Sequence, residues 1–300
     1  MYKEYQPCAL LSPYIDKYWE FKGNPEYGMR INILPDGCTD FIFTLGEATQ
    51  AVNSSLTMKP YRAYFIGPMN SYSELVAYAE TVHMLGVRFL PCGLSRFIRL
   101  PLHELTNLRI SADEVTCFFD TSFAERLCEE DCLENRVKII EELFIKSLYK
   151  HDLPTDPQIV FAIKQINRHQ GKLPVQSLME DICLCQRQFE RKFKMNTGYT
   201  PKIYSRIMKF KNAVDLLRGT TSDNLLSTAI HAGYYDVPHL SREVIRQYSL
   251  LFPFYSSDRR RCHTDLRRSI NVVFVQCRNI SDYLYLHHSI NKTNSALWKQ

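Results

Sequence analysis

Residues 175–201 read VQSLMEDICLCQRQFERKFKMNTGYTP. Val175, Leu178, Met179 and Ile182 recur at helical spacing, which predicts a short amphipathic helix over 175–183. A second helix is predicted over 186–195, with Phe189 and Phe193 four residues apart on its inner face. Leu184 falls in the turn, where an apolar side chain plugs the gap between the two. The outer face of the second helix carries Arg187, Glu190, Arg191 and Lys194. The pattern is that of a helix-turn-helix whose second, basic helix is shaped to enter a major groove.

These residues also carry a family resemblance. Val175, Leu178, Ile182 and Leu184, the run RQFERKF at 187–193 and GYTP at 198–201 resemble the first helix-turn-helix of the AraC/XylS family of bacterial transcription regulators. The likeness continues through Arg206, Phe210, Ala213, Leu216 and Leu217, then Ile230, AGYYD at 232–236 and His239, spanning 157–248. By position, it implies base-edge contacts from Arg187, Glu190 and Arg191 in a first reading head. In a second head the implied contacts come from Val237, Pro238 and Arg242. An arginine can pair bidentately with guanine and a glutamate can accept from cytosine, whereas Val237 and Pro238 offer only apolar contact to thymine methyls. Specificity is therefore expected mainly in the first head. Lys192, Lys194, Lys202, Arg206, Lys211 and Arg246 are candidates for phosphate contact, which positions without specifying. The competing reading for each is a solvated basic helix face.

Charge distribution fits that division. Between Gln186 and Lys211 eight residues are basic and only Glu190 is acidic, within a chain of net charge +5. From Asp120 to Glu142 acidic residues predominate, among them Glu125, Glu129, Glu130, Asp131 and Glu134. One half is built to meet a polyanion and the other is not. Three hundred residues, 45% hydrophobic and 23% charged, suffice for about two globular domains. No apolar run is long enough to span a bilayer, and the N-terminus lacks the basic-then-apolar layout of a signal peptide, so a cytoplasmic protein without membrane contact is expected. Ten scattered cysteines form no disulfide framework and no paired metal-ligand spacing, so reduced thiols and no metal or cofactor are expected.

Upstream of residue 110 the chain reads as short strands and turns. INIL at 31–34 and DFIFTL at 40–45 flank the turn Pro35-Asp36-Gly37; 64–67, 73–78 and 83–89 continue the pattern, and a short helix is expected over 94–100. Strands so spaced suggest a small β-barrel or sandwich. LPDGCTDFIF at 34–43 and LGVRFLPCG at 85–93 resemble, more weakly, the N-terminal domain of one group of AraC-type regulators, which implies a sensor. Candidate effector-contacting groups are Arg30, Asp36, Asp40, His83 and Arg88. Each competes with a surface or turn role, most strongly Asp36, since Pro-Asp-Gly is turn chemistry in itself.

Residues 111–150 read as helices with one apolar stripe, which either packs on its own domain or pairs two subunits. Two prolines and two acids in 152–157 mark the clearest break, with Asp156-Pro157 setting an N-cap and first turn. A helix is then expected over 157–169, a long one over 201–217, and a second helix-turn-helix over 225–248 with Asp236 as N-cap. In that second unit Leu240 and Val244 stand where the family usually carries aromatics, and from Ser256 the resemblance stops. The tail either adds phosphate contacts through Arg259, Arg260 and Arg261 or is translated from a shifted reading frame; loss of the pattern part-way through a motif favours the latter.

The expected architecture is α+β: a β-rich effector-sensing domain at 1–150 ending in helices, a linker at 151–156, an all-α domain with two helix-turn-helix units at 157–255, and a tail at 256–300. The absence of a phosphate loop, G-x-S-x-G or H-E-x-x-H argues against an enzyme and leaves no catalytic residues to assign. The expected function is a sequence-specific transcription regulator acting on double-stranded DNA. A small-molecule effector, RNA polymerase and a second copy of the chain are further candidate partners. The alternative is a non-enzymatic interaction protein with a degraded second reading head.

Overall fold

The computed structural model describes residues 1–46, 51–53, 56–70, 73–120, 122–150, 153, 155–218 and 225–247. The residues after 247, including the basic run of the tail, lie outside the described residues.

The first part is an antiparallel β structure. Its strands are β1 (Tyr2–Tyr5), β2 (Ile15–Gly23), β3 (Met29–Ile33), β4 (Thr39–Thr44), β5 (Ala51–Asn53), β6 (Leu56–Met58), β7 (Ala63–Ile66), β8 (Ser73–Ala77), β9 (Val82–Phe89) and β10 (Arg109–Ser111). They form a six-stranded sheet, β1-β2-β9-β4-β7-β10, and a four-stranded sheet, β3-β8-β5-β6. Side chains two residues apart on a strand share a face, so Phe41 and Phe43 of β4 and Leu85, Val87 and Phe89 of β9 all enter one core. Helices α1 (Phe123–Glu129) and α2 (Leu133–Lys150) close it. Phe119 stands 5.0 Å, centroid to centroid, from both Phe41 and Phe43, and Phe144 of α2 stands 5.5 Å from Phe89. Such edge-to-face contacts add to the area term of burial. The α2 stripe Leu133, Val137, Ile140 and Phe144 is thus covered inside its own domain.

One ionic cluster ties sheet to helix. Glu20 of β2 accepts from His83 of β9 at 2.9 Å and from Arg136 Nη1 of α2 at 2.5 Å. Arg136 also donates to the carbonyls of Leu127 and Glu130.

The rest of the described chain is helical: α3 (Pro157–Arg168), a 3-10 turn at Val175–Leu178, α4 (Met179–Ile182), α5 (Gln186–Thr197), α6 (Pro201–Arg218), α7 (Leu225–His231) and α8 (Val237–Gln247). Asp156 caps α3 by accepting the Gln158 N–H at 3.0 Å, with Pro157 at the first helical position. The segment expected as one helix over 175–183 is instead a 3-10 turn followed by the four residues of α4, ended by Cys183 in the left-handed region at φ +53°. No side chain caps the N-terminus of either piece, so the tighter 3-10 turn supplies the first hydrogen bonds.

The chain divides into two compact units, one of residues 3–211 and another beginning at Asn212. The first therefore holds the β-rich region together with the first helix-turn-helix.

Candidate nucleic-acid interface

In the first unit the geometry of α5 follows from two phenylalanines. Phe189 and Phe193 are fully buried, 5.7 Å apart, among Ile159, Ile166, Leu178, Ile182, Tyr204 and Ile207. Burying that face fixes the opposite one in solvent, where Arg187, Arg191 and Lys194 follow one another at spacings of four and three. Glu190 shares that exposed surface and accepts from Gln186 at 2.9 Å. Leu184 packs half-buried against the same core. Gly198 ends α5 in the left-handed conformation, φ +82°, and its N–H bonds the Lys194 carbonyl.

The candidate phosphate contacts divide by environment. Lys194 and Lys202 are exposed, while Arg206 and Lys211 are half-buried on α6. Lys192 turns toward the start of α3, 2.9 Å from the Asp156 carboxylate and 3.3 Å from Gln158 Oε1. That link between α5 and the start of α3 has no local signature, because its partners are far apart in sequence.

Within the same unit the back of this helix-turn-helix rests on the β-rich region. The buried Tyr199 hydroxyl donates to the Met69 carbonyl at 3.0 Å, and Thr106 Oγ1 donates to the Gly198 carbonyl at 3.0 Å. Gly37, of the Pro-Asp-Gly turn, lies so close to Tyr204 that a Cβ there would stand 2.6 Å from the ring. Neither tyrosine was distinguishable in sequence from an ordinary core aromatic.

In the second unit, Asp236 accepts the His239 N–H at 2.6 Å and starts α8. Leu240 and Val244 form its buried face. Pro238 and Arg242 are exposed and Val237 is half-buried. Arg242 Nε donates to the Pro238 carbonyl at 3.3 Å, and the exposed Arg246 stands 3.4 Å from the buried Glu243 carboxylate.

The five candidate effector groups occupy distinct places. Asp36 accepts the Cys38 N–H with one oxygen and forms an ion pair with Arg88 through the other. Asp40 accepts the Trp19 indole N–H at 3.0 Å; burial pushes its carboxyl up to about 7, and the indole hydrogen bond opposes that rise. His83 belongs to the Glu20 cluster. Arg30 lies on β3 in register with Val76 of β8. The structure brings Asp36 and Arg88 together as a pair, and Asp40 is Arg88's register partner across β4 and β9.

Burial also pushes the Cys38 and Cys92 thiols up to about 12. The eight described cysteines are free thiols, and among the described residues no group of three or more metal-ligating side chains forms. No described helix is long and apolar enough to cross a membrane.

Residues 3–111 match a family described as a domain of unknown function, DUF6597. No curated protein matches the chain. Among solved structures, ToxT from Vibrio cholerae is similar at 7% identity and a TM-score of 0.44, over 77% of this chain and 94% of that one. ToxT bound to (E)-4-(8-methylnaphthalen-1-yl)but-3-enoic acid gives 8% identity and 0.43 over the same shares. ToxT bound to an unsaturated fatty acid gives 10% and 0.41, over 78% and 95%. The chain itself is α+β, an antiparallel β-rich region followed by helices.

Proposed function

We propose that the chain is a sequence-specific DNA-binding transcription regulator of the AraC type, in which residues 1–150 sense a small molecule and the helices beyond read double-stranded DNA. The observation that carries the reading is the exposed stripe of Arg187, Arg191 and Lys194 on α5, held rigid by Phe189 and Phe193 beneath it. A helix of twelve residues with arginines on its outer face fits the major groove and offers guanine its preferred partner. Glu190, between them, adds an acceptor for cytosine. The second head offers Arg242 and Pro238 on α8, so base discrimination rests chiefly on the first. Such a regulator works in the cytoplasm, with RNA polymerase and a second copy of the chain as its natural partners.

The full chain is the molecule to test, since residues 3–211 form one compact unit. Fluorescence anisotropy against a pool of random duplexes at two salt concentrations should show selective binding that weakens steeply with salt. Absence of binding at low salt overturns the reading in favour of an interaction protein. Arg191→Ala should weaken binding to the selected site by about 1–3 kcal/mol and relax one base position. An equal loss on every duplex would make Arg191 a phosphate contact instead.

A further inference from the structure

Three arginines of the β-rich region and its closing helices have found a carboxylate. Arg88 meets Asp36, Arg126 meets Asp120 and Arg136 meets Glu20. Arg109 has not. It opens β10, the edge strand beside β7, in register with Ile66. Its Nε is sealed from solvent with no hydrogen-bond partner, and its Nη2 donates to the Met69 sulfur at 3.0 Å. A thioether is a weak acceptor and carries no charge. Among the described residues no carboxylate lies within ion-pair distance of it. Burial alone lowers its pKa, with no neighbouring charge of either sign contributing.

A guanidinium partly withdrawn from water without a counter-ion is costly, and an anion arriving from outside would relieve that cost. The surroundings are prepared for one. Residues 67–70 are pinned beside Arg109: Gly67 N–H bonds the Leu108 carbonyl, Asn107 N–H bonds the Pro68 carbonyl, and the Asn107 side-chain amide accepts from the Asn70 backbone N–H and donates to Asn70 Oδ1. The residue as a whole stays partly exposed, with its Nε sealed. We propose that Arg109 is the anchor of a ligand site for a carboxylate-bearing small molecule, which replaces the Met69 sulfur as acceptor. A single planar cation among apolar Met69 and Ile66 matches a monoanionic carboxylate taken bidentately. A phosphate dianion would leave a charge uncompensated there. The site abuts the first reading head, because Met69 also accepts from Tyr199. Only the description of the ligand as an effector rests on the regulator reading; the binding does not.

The test is thermal unfolding of the full chain with acetate and hexanoate, and with hexanamide as the uncharged counterpart. Hexanoate at a hundredfold excess over its Kd should raise Tm by about 5 °C, and hexanamide should not. Arg109→Met should melt above the unaltered chain without ligand, since it removes an uncompensated charge, and should lose the carboxylate response; Arg109→Gln should lose that response as well. No carboxylate response, an equal response to the amide, or a response retained in either variant overturns the proposal. The carboxylate-against-amide comparison on the unaltered chain decides even should neither variant fold. None of these readouts involves DNA, so failure here and failure of the regulator reading are separate results.

Discussion

Gly171→Ala is expected to destabilise the chain by about 3–5 kcal/mol, well beyond the cost of a left-handed residue alone. Gly171 follows α3 at φ +71°, where its N–H bonds the Ile166 carbonyl at 2.8 Å. A Cβ added there would overlap the Ser205 carbonyl oxygen and stand 2.6 Å from the Lys209 nitrogen. Both obstacles are α6 backbone, which cannot turn aside as a side-chain end can. Relief requires α3 and α6 to separate, and that opens the core holding Phe189 and Phe193. Gly28 isolates the conformational part of the cost: its φ is +79°, and a Cβ there meets nothing within 4 Å. Gly28→Ala should therefore cost only about 1 kcal/mol. Urea midpoints of the two variants measure the difference. Equal losses would mean that φ alone constrains Gly171 and that the two helices can yield.

The end of the helix expected over 157–169 was legible in sequence, but the closeness of the following Gly171 to α6 was not. The same division holds across the chain. The four-residue spacing of Phe189 and Phe193 placed the inner face of α5, because a 3.6-residue repeat with one buried side admits a single orientation. Asp156-Pro157 placed the start of α3, because cap and first-turn preferences are local. The run at 40–45 placed β4 to within a residue, since alternation is local too. Partner choice is not local. The assignment of strands to two sheets, the pairing of Asp36 with Arg88 and the turn of Lys192 toward Asp156 all join residues remote in sequence. The break at 151–156 ends one helix and opens the next, yet the first compact unit runs on to Lys211. Tyr199 and Tyr204 carry it across, and their contacts with Met69 and Gly37 depend on a β-rich surface that no helical pattern describes.

The second large effect is expected at Arg136. Arg136→Met should cost about 3–5 kcal/mol, the range found when one partner of a buried ion pair is removed and the other is left behind. The apolar stem of methionine fills much of the arginine's path, so the loss reports charge rather than a cavity. Glu20 is held below the usual carboxylate range by its hydrogen bond from His83 and by the Arg136 charge, against the upward push of burial. A carboxylate depressed in the folded state contributes stability that is present above its unfolded pKa and is lost as pH falls through its folded one. The unaltered chain should therefore keep this contribution until the pH drops below the ordinary carboxylate range. In Arg136→Met the Glu20 carboxyl rises toward or above its unfolded value, so the Glu20 part of the acid loss should shrink or reverse, and the variant's deficit should narrow as pH falls. Glu20→Gln combined with Arg136→Met removes both charges, so the double variant should be more stable than Arg136→Met alone, by a margin that shrinks as falling pH protonates Glu20 in the single variant. Urea unfolding of the three chains across pH 4–8 gives both readings. If the double variant were no more stable than Arg136→Met, the arginine would be acting through the Leu127 and Glu130 carbonyls, as a clamp on the connection between α1 and α2.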